Sequence, residues 1–209
     1  MPTRVSDSTL EQFRHAAAGQ QPTPAGVAVA AVAAAFALGL IAKVHTISGR
    51  RKELQADAPR LEALSAAAQA ASQRMLQLAG DDSAAFEAYL AARRLPRATD
   101  SERQARERGI DSAARRAIDL PLEAAQEAAA GLKLCTDASA LTPLALVADL
   151  RVAAALLAGA LRGFLLCAQS NVRQLTPETA SLGERVATET QRHEQALHQA
   201  EALLESVKP

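Results

Sequence analysis

Two long apolar runs stand out from the pattern of hydrophobic and polar positions along the chain. Residues 25–42 contain no polar side chain, and half of them are alanine. Residues 144–171 are mainly alanine and leucine, interrupted by charged residues that include Asp149 and Arg162. A helix that is apolar on all sides is usually covered by other helices. The two runs therefore predict buried helices around which the remaining segments pack.

Membrane insertion is the alternative explanation for the first run. About 18 consecutive apolar residues is the lower limit for a membrane-spanning helix, and residues 25–42 reach it. The hydrophobic free energy follows apolar area at roughly 25 cal/mol per Å², and alanine offers little area. Small side chains also allow neighbouring helices to approach closely. We therefore expect a packed core helix and no association with a membrane.

The other apolar positions recur with the period of a helix, and no alternating strand pattern is found. Prolines and glycines divide the chain into separate helical segments. Pro59 and Pro121 are expected to kink helices, and Gly80-Asp81-Asp82 is expected to break one. In addition to the two apolar helices, we predict helices over residues 7–18, 51–78, 85–94, 101–131 and 177–207.

These elements predict an all-α fold, an up-and-down bundle of long, kinked, Ala-rich helices that forms a dimer. One domain spans residues 1–209, with an N-terminal helix and linker over 1–21 and a C-terminal helix over 176–209. One thin bundle cannot readily cover two nearly apolar helices, and a twofold partner would bury the excess on both subunits. We expect residues 25–42 and 144–171 to lie at or near the subunit interface of a homodimer.

Charge and cysteine content narrow the function classes. The chain has no net charge, so it lacks the basic surface by which proteins bind nucleic acid. Cys135 and Cys167 have no metal-ligand spacing and are expected to be free, buried thiols of a reducing compartment. The first twenty residues are largely polar and do not resemble a signal peptide, so we expect a cytoplasmic protein. No metal-binding motif is found.

Two carboxylates are candidates for chemistry, because a carboxylate in apolar surroundings is costly unless it has a partner. Asp82 precedes the run Ala84-Ala85-Phe86, and the sequence alone favours a structural role as the cap of the helix that follows. Asp149 interrupts the second apolar run, where an ion pair with Arg151 or Arg162 is the structural alternative. Thirteen residues separate Asp149 from Arg162, so that pair would need a neighbouring element or a second subunit.

Both ends of the first apolar helix are candidate binding elements. Pro24 suits the first turn of a helix, and Ala25 and Gly26 leave the N–H groups of that turn open to an anion or oxygen ligand. At the other end, three cations follow at residues 50–52. Their simplest role is to cap the helix and to keep the next helix soluble.

In order and spacing, these motifs resemble the cyclodeaminase/cyclohydrolase family. This family includes the helical domain of formiminotransferase-cyclodeaminase and the bacterial methenyltetrahydrofolate cyclohydrolases of the serine-cycle type. The resemblance covers about residues 22–171. Its motifs are Thr23-Pro24-Ala25-Gly26 for the family's glycine-rich opening, Asp82-x-x-Ala85-Phe86, Leu95-Pro96-Arg97, Leu120-Pro121-Leu122, and Asp149 followed by Leu161-Arg162 and Asn171.

The chain departs from the family pattern at several of these positions. Ala25 and Val27 replace glycines, so side chains are expected to project where backbone would approach a ligand. Cys167 stands where the first of two asparagines is expected, which removes an amide donor and acceptor. Gly49 and residues 50–52 follow the family's Gly-Lys-Lys-Lys-Tyr only loosely. These departures support a second hypothesis, a catalytically silent homologue that acts as a helical binding or scaffold dimer.

The resemblance implies a folate one-carbon enzyme, a methenyltetrahydrofolate cyclohydrolase or a formiminotetrahydrofolate cyclodeaminase. Its substrate would be a tetrahydrofolate derivative, with no permanently bound cofactor and no metal. Asp82 would carry the proton, and Asp149 would orient the ring. The pocket would lie at a dimer interface, with Asp82 or Arg162 of one subunit near the helix start of the other. The substrate-binding residues would be Pro24, Ala25, Gly26, Arg50, Arg51, Lys52, Arg162 and Asn171, with the cations of residues 50–52 meeting the glutamate tail.

Overall fold

The computed structural model describes residues 5–172 and 180–206, and all regular secondary structure in these ranges is helical. This confirms the all-α prediction. The predicted start of the last helix near Thr176 and its end at Val207 lie outside the described residues. The helices are α1 (Leu10–Ala17), α2 (Gly26–Gly49), α3 (Ala58–Arg93), α4 (Asp100–Asp137), α5 (Leu144–Val172) and α6 (Ala180–Ser206), with short 3-10 turns at Val5–Asp7, Lys52–Asp57 and Ser139–Leu141.

From α2 onwards, helices that follow each other in the sequence are neighbours in space, and α2 also contacts α5. The α2–α5 pair is antiparallel, because Gly26 lies beside Cys167 while Lys43 pairs with Asp149. The other pairs that are consecutive in the sequence are antiparallel as well, so α2 to α6 form an up-and-down bundle. The contacts that fix their directions are Ser72–Ala35 and Ser65–Ala42 (α3–α2), Arg74–Glu123 and Arg116–Asp81 (α3–α4), Asn171–Ala117 and Leu157–Gly131 (α5–α4), and Gln169–Thr190 and Arg162–Glu201 (α5–α6).

Alanine supplies about half of the buried apolar residues in the described part of the chain, so the helices pack at short distances. Among the glycines of the described residues, Gly131 of α4 has the least room. A β-carbon there would lie 2.8 Å from the Cδ2 of Leu38 and 3.0 Å from the Cδ1 of Leu157. The sequence predicted that the helix ends at Gly131 or shortly after it, but this glycine has a packing role inside α4 instead. It allows α4 to pass close to α2 and α5, and α4 continues to Asp137.

The predicted break at Gly80-Asp81-Asp82 is wrong, because α3 runs without interruption from Ala58 to Arg93. A glycine inside a helix costs only about 1 kcal/mol relative to alanine, and burial of neighbouring residues such as Leu78 offsets that cost. Pro59 lies in the first turn of α3, where its missing N–H has no helical partner to lose, rather than at a kink. The segment from Lys52 to Asp57, predicted as part of this helix, forms a 3-10 turn instead.

By length and composition alone, α2 and α5 could each cross a membrane. In the most apolar window of α2, 56% of the residues are buried inside the chain, against 39% in α5. Core helices of soluble proteins meet the same criterion when they are mostly buried, and α2 fits that description. Large apolar side chains of α5, such as Leu156 and Leu166, are left exposed by the other helices.

Gly131→Ala is expected to destabilise the fold by about 1–3 kcal/mol, because the new methyl group meets two fully buried leucines in a close-packed core. Gly80→Ala is the matched control. A β-carbon at Gly80 meets nothing within 4 Å, so the better helix propensity of alanine should stabilise α3 by about 0.5–1 kcal/mol. Urea unfolding followed by circular dichroism measures both changes. Similar effects of the two substitutions would contradict the close approach at Gly131.

Candidate functional site

Three helices meet at the start of α2. The chain enters α2 through Pro24, and Ala25 occupies the N-cap position without a side-chain hydrogen bond to the N–H groups that follow. Gly26 is exposed. At this helix start α3 contributes Asp82 and α5 contributes Cys167. Because the N–H groups of a first turn carry the positive end of the helix dipole, this apolar helix begins in a polar corner.

Asp82 lies inside α3, and its carboxyl group faces the first turn of α2. The sequence alone favoured a cap of the following helix, which is wrong because α3 is continuous here. The carboxylate interacts instead with the backbone N–H of Ala28 in α2. Burial raises the pKa of Asp82 to about 6, and the N–H of Ala28 offsets only part of this rise. A carboxyl group with this pKa can both give and take a proton near neutrality.

Cys167 lies beside both Gly26 and Asp82. A β-carbon added to Gly26 would lie 3.2 Å from the Cys167 Sγ, so the thiol packs directly on the helix start. Burial and the negative charge of Asp82 both raise the pKa of the Cys167 thiol, which is therefore neutral near pH 7. Both cysteines were expected to be buried and free. Cys135 is fully buried, whereas Cys167 is only partly so.

Of the two side chains that replace family glycines, only one lies at the open helix start. Ala25 is exposed, whereas Val27 is 5% exposed and belongs to the hydrophobic core. The expectation that Val27 projects towards a ligand is therefore wrong within this chain. The Val27 side chain stabilises the first turn of α2 by packing in the hydrophobic core.

Asp149 lies far from Asp82. Its Oδ2 accepts a hydrogen bond of 2.9 Å from the Nζ of Lys43 in the second half of α2, and not from Arg162. Lys43 is 17 residues beyond Gly26 on α2, which is about 25 Å at the rise of 1.5 Å per residue. Within one chain, the structure does not bring the two predicted catalytic carboxylates together.

The predicted binding cations are also spread over the bundle. Arg162 pairs with Glu201 of α6. The cations of residues 50–52 are exposed and follow the far end of α2, roughly 36 Å from Gly26 by the same helical rise. Among the described residues, no three His, Cys, Asp or Glu side chains come together as metal ligands.

Asn171 lies one helical turn after Cys167, and its carboxamide is engaged within the chain. The Nδ2 atom donates a hydrogen bond of 2.7 Å to the backbone carbonyl of Ala117 in α4. One donor of this predicted substrate-binding residue is therefore occupied in the structure.

An open groove of about 450 Å³ lies between the second half of α2 and the middle of α3. It is on the same half of α2 as the Lys43–Asp149 pair and away from Asp82. Glutamine and alanine are ordinary residues on a helix surface, so nothing in the sequence marked this groove. Its lining residues are Gly39, Ala42, Lys43, Thr46, Ile47, Gln69, Ser72 and Gln73.

Comparison with known proteins shows the family of this chain. A family model described as formiminotransferase-cyclodeaminase matches residues 9–202, nearly the whole chain. The chain belongs to the formiminotransferase-cyclodeaminase family. The resemblance inferred from the motifs is confirmed, and it extends beyond the 22–171 segment that the motifs cover.

Individual relatives agree with this assignment. The chain is 30% identical over 119 residues to a methenyltetrahydrofolate cyclohydrolase of Methylorubrum extorquens, a match that covers 56% of this chain and 57% of the relative. It is 28% identical over 182 residues to formimidoyltransferase-cyclodeaminase of Sus scrofa, covering 86% of this chain and 34% of the relative. The matched regions thus span about half of the bacterial relative and about a third of the mammalian one.

The fold also matches a solved structure. A formiminotetrahydrofolate cyclodeaminase from Thermotoga maritima superposes with a TM-score of 0.82, covering 97% of this chain and 98% of the other, at 20% sequence identity. At this identity the match establishes that the two chains share a fold.

Asp82→Asn is expected to make Cys167 react severalfold faster with iodoacetamide at pH 8. The thiolate is the reactive form, and removal of the neighbouring negative charge lowers the pKa of the thiol. Peptide mapping by mass spectrometry separates Cys167 from Cys135, which is buried and has a pKa raised to about 12.

Asp81→Asn is the matched control, because Asp81 is adjacent in sequence but lies near Arg74 and Arg116. It should leave the alkylation rate of Cys167 unchanged. If Asp82→Asn and Asp81→Asn have the same effect, Asp82 and Cys167 do not share one site.

Proposed function

We propose that this member of the formiminotransferase-cyclodeaminase family is a folate one-carbon enzyme, either a methenyltetrahydrofolate cyclohydrolase or a formiminotetrahydrofolate cyclodeaminase. The observation that carries the proposal is the carboxyl group of Asp82, held at the open start of α2 with a pKa of about 6. The names of the Methylorubrum extorquens relative and of the Thermotoga maritima structure supply the substrate class, a tetrahydrofolate derivative.

Hydrolysis of a methenyl bridge requires little machinery, because the bridge is already a cationic amidinium. In the proposed reaction the oxygen of a water molecule bonds to the methenyl carbon while a proton of that water passes to the Asp82 carboxylate. One of the two C–N bonds of the bridge then breaks, and the departing nitrogen takes the proton held by Asp82. The hydroxyl group on the former methenyl carbon releases its proton to solvent as it becomes the carbonyl of the formyl group. The N–H groups at the start of α2 stabilise the oxygen as it gains negative charge.

Cyclodeamination would use the same carboxyl group in its protonated form. A folate N–H adds across the C=N bond of the formimino group, so that a new C–N bond forms and the imino nitrogen becomes an amino group. The C–N bond to that amino group then breaks and leaves the methenyl bridge. Asp82 gives its proton to that group, which leaves as ammonia. The two reactions therefore begin with opposite protonation states of Asp82.

A homodimer would bring together groups that one chain separates. The contact between Asp82 and the start of α2, which was expected between subunits, lies within one chain. The Lys43–Asp149 pair and residues 50–52 lie towards the other end of α2. In a homodimer, the twofold partner would add its own copies of these groups to the site at Asp82. In the dimer these groups would orient the ring and meet the glutamate tail of the folate.

The uncovered apolar surface supports such a dimer. Large apolar side chains of α2 and α5 are exposed on the outside of the bundle: Val29 (43%), Phe36 (56%), Val152 (52%), Leu156 (43%) and Leu166 (64%). Monomers rarely leave large apolar patches in water. A twofold axis would bury the same face on both subunits.

A catalytically silent homologue is the second candidate function, and Cys167 is the observation that favours it. A neutral thiol beside Asp82 offers neither the donor nor the acceptor of the amide that the family pattern has there. Calorimetry with tetrahydrofolate separates the two candidates. A silent scaffold dimer binds no folate in the micromolar range and does not accelerate either reaction.

Asp82→Asn is expected to lower kcat by about 10²–10⁴-fold, the usual contribution of a positioned acid or base. The near-ultraviolet absorbance of methenyltetrahydrofolate measures hydrolysis, and ammonia release measures cyclodeamination. Asp81→Asn controls for a general effect of charge on α3. Wild-type activity of Asp82→Asn, in a variant that folds normally, would exclude Asp82 from the reaction.

The pH dependence of kcat tells the two reactions apart. Asp82 has a pKa of about 6. Hydrolysis needs the carboxylate, so its rate should rise with pH and level off above about 6. Cyclodeamination needs the protonated acid, so its rate should be highest below about 6 and fall as the pH increases. A rate that is flat from pH 5 to pH 7.5 would contradict both assignments.

Phe36→Glu is expected to convert the dimer into a monomer at micromolar concentration, because it places a charge within the apolar face of α2 and α5. Light scattering should give twice the chain mass for the wild type and the single chain mass for the variant. Leu10→Glu is the control, since Leu10 is 67% exposed but lies on α1. A monomeric wild type that still turns over folate would refute the shared site.

A further inference from the structure

Pro121 leaves one backbone carbonyl of α4 without its helical partner. It lies inside α4 and is buried there. In an α-helix, the N–H of each residue bonds to the carbonyl four residues earlier, and proline has no N–H. The carbonyl that loses its partner is therefore that of Ala117.

Asn171 supplies the missing donor from another helix. Its Nδ2 lies 2.7 Å from the Ala117 oxygen, across the contact between α4 and α5. A carboxamide on α5 thus replaces a hydrogen bond that the sequence of α4 removes. An unpaired, partly buried carbonyl would otherwise destabilise this contact.

The hydrogen bond lies next to the candidate functional site. On α5, Asn171 is one turn from Cys167, which contacts the start of α2. On α4, the residue before Ala117 is Arg116, which lies 3.7 Å from the carboxylate of Asp81, the neighbour of Asp82. One short stretch of α4 is therefore tied to α3 beside Asp82 and to α5 beside Cys167.

We propose that Asn171 is a positioning residue, whose carboxamide replaces the backbone bond lost at Pro121 and so holds Cys167 of α5 beside Asp82. This role differs from the substrate contact that the family resemblance implied. Its catalytic consequence rests on the proposed function, but its structural content does not.

A double-mutant cycle tests the proposal, because Pro121→Ala restores the N–H that Ala117 lacks. In the wild-type background, Asn171→Ala should lower the urea midpoint of unfolding. The substitution should also remove most of the effect that Asp82→Asn has on the alkylation rate of Cys167. In the Pro121→Ala background, Asn171→Ala should change both quantities little. Asn171→Asp, which has the same shape but no donor, should behave like Asn171→Ala or worse.

Turnover distinguishes positioning from substrate contact. A positioning role predicts that Asn171→Ala lowers kcat by about ten- to hundredfold with KM nearly unchanged, and that Pro121→Ala restores most of the loss. A substrate ligand would instead raise KM, and Pro121→Ala would not restore it. Equal effects of Asn171→Ala in both backgrounds would overturn the proposal. The measurements of unfolding and of Cys167 alkylation need no folate. They therefore decide the structural role of Asn171 even if the protein turns over no folate.

Discussion

The close approach of α2 to its neighbours is the constraint on which the rest of the structure depends. Alanine dominates the buried positions, and at Gly131 even a methyl group would collide with Leu38 and Leu157. Close packing gains many weak dispersion contacts while each residue buries little area. Such a core has little room for adjustment, because a shift of one helix is passed to the next. The polar corner at Gly26 is therefore held by the packing of whole helices rather than by a loop.

Within that corner, two opposing effects set the chemistry of Asp82. Burial disfavours the charged carboxylate, whereas the N–H of Ala28 and the dipole of α2 favour it. Burial prevails, and the pKa settles near neutrality instead of near that of an exposed aspartate. Cys167 does not lower the pKa of Asp82, because a neutral thiol does not give the carboxylate the hydrogen bond that an amide would donate. The site is consequently tuned by apolar packing as much as by its polar groups.

The sequence predicted the fold well because the periodicity of long helices is unambiguous. It also pointed to Asp82 and to the start of α2 through the order of family motifs. It failed at Gly80-Asp81-Asp82, where tertiary packing outweighs a weak local preference. The sequence could not place Asp149, because the apolar pattern of α2 and α5 shows that both helices are packed but not whether they run parallel or antiparallel. Once Gly26 is known to face Cys167, an antiparallel pair requires residue 149 to lie near residue 43, at the other end of α2.

The order of contacts along the chain has a consequence for how the protein folds. Most helices pack against their neighbours in sequence, so helical hairpins can form early with little loss of chain entropy. The α2–α5 contact is different, because it joins segments more than a hundred residues apart. Gly26 and Cys167 meet across that contact, so the site exists only after the bundle has closed. A partly folded chain that lacks this closure can hold most of its helices and still lack the complete candidate site, which would couple the proposed activity to completion of the fold.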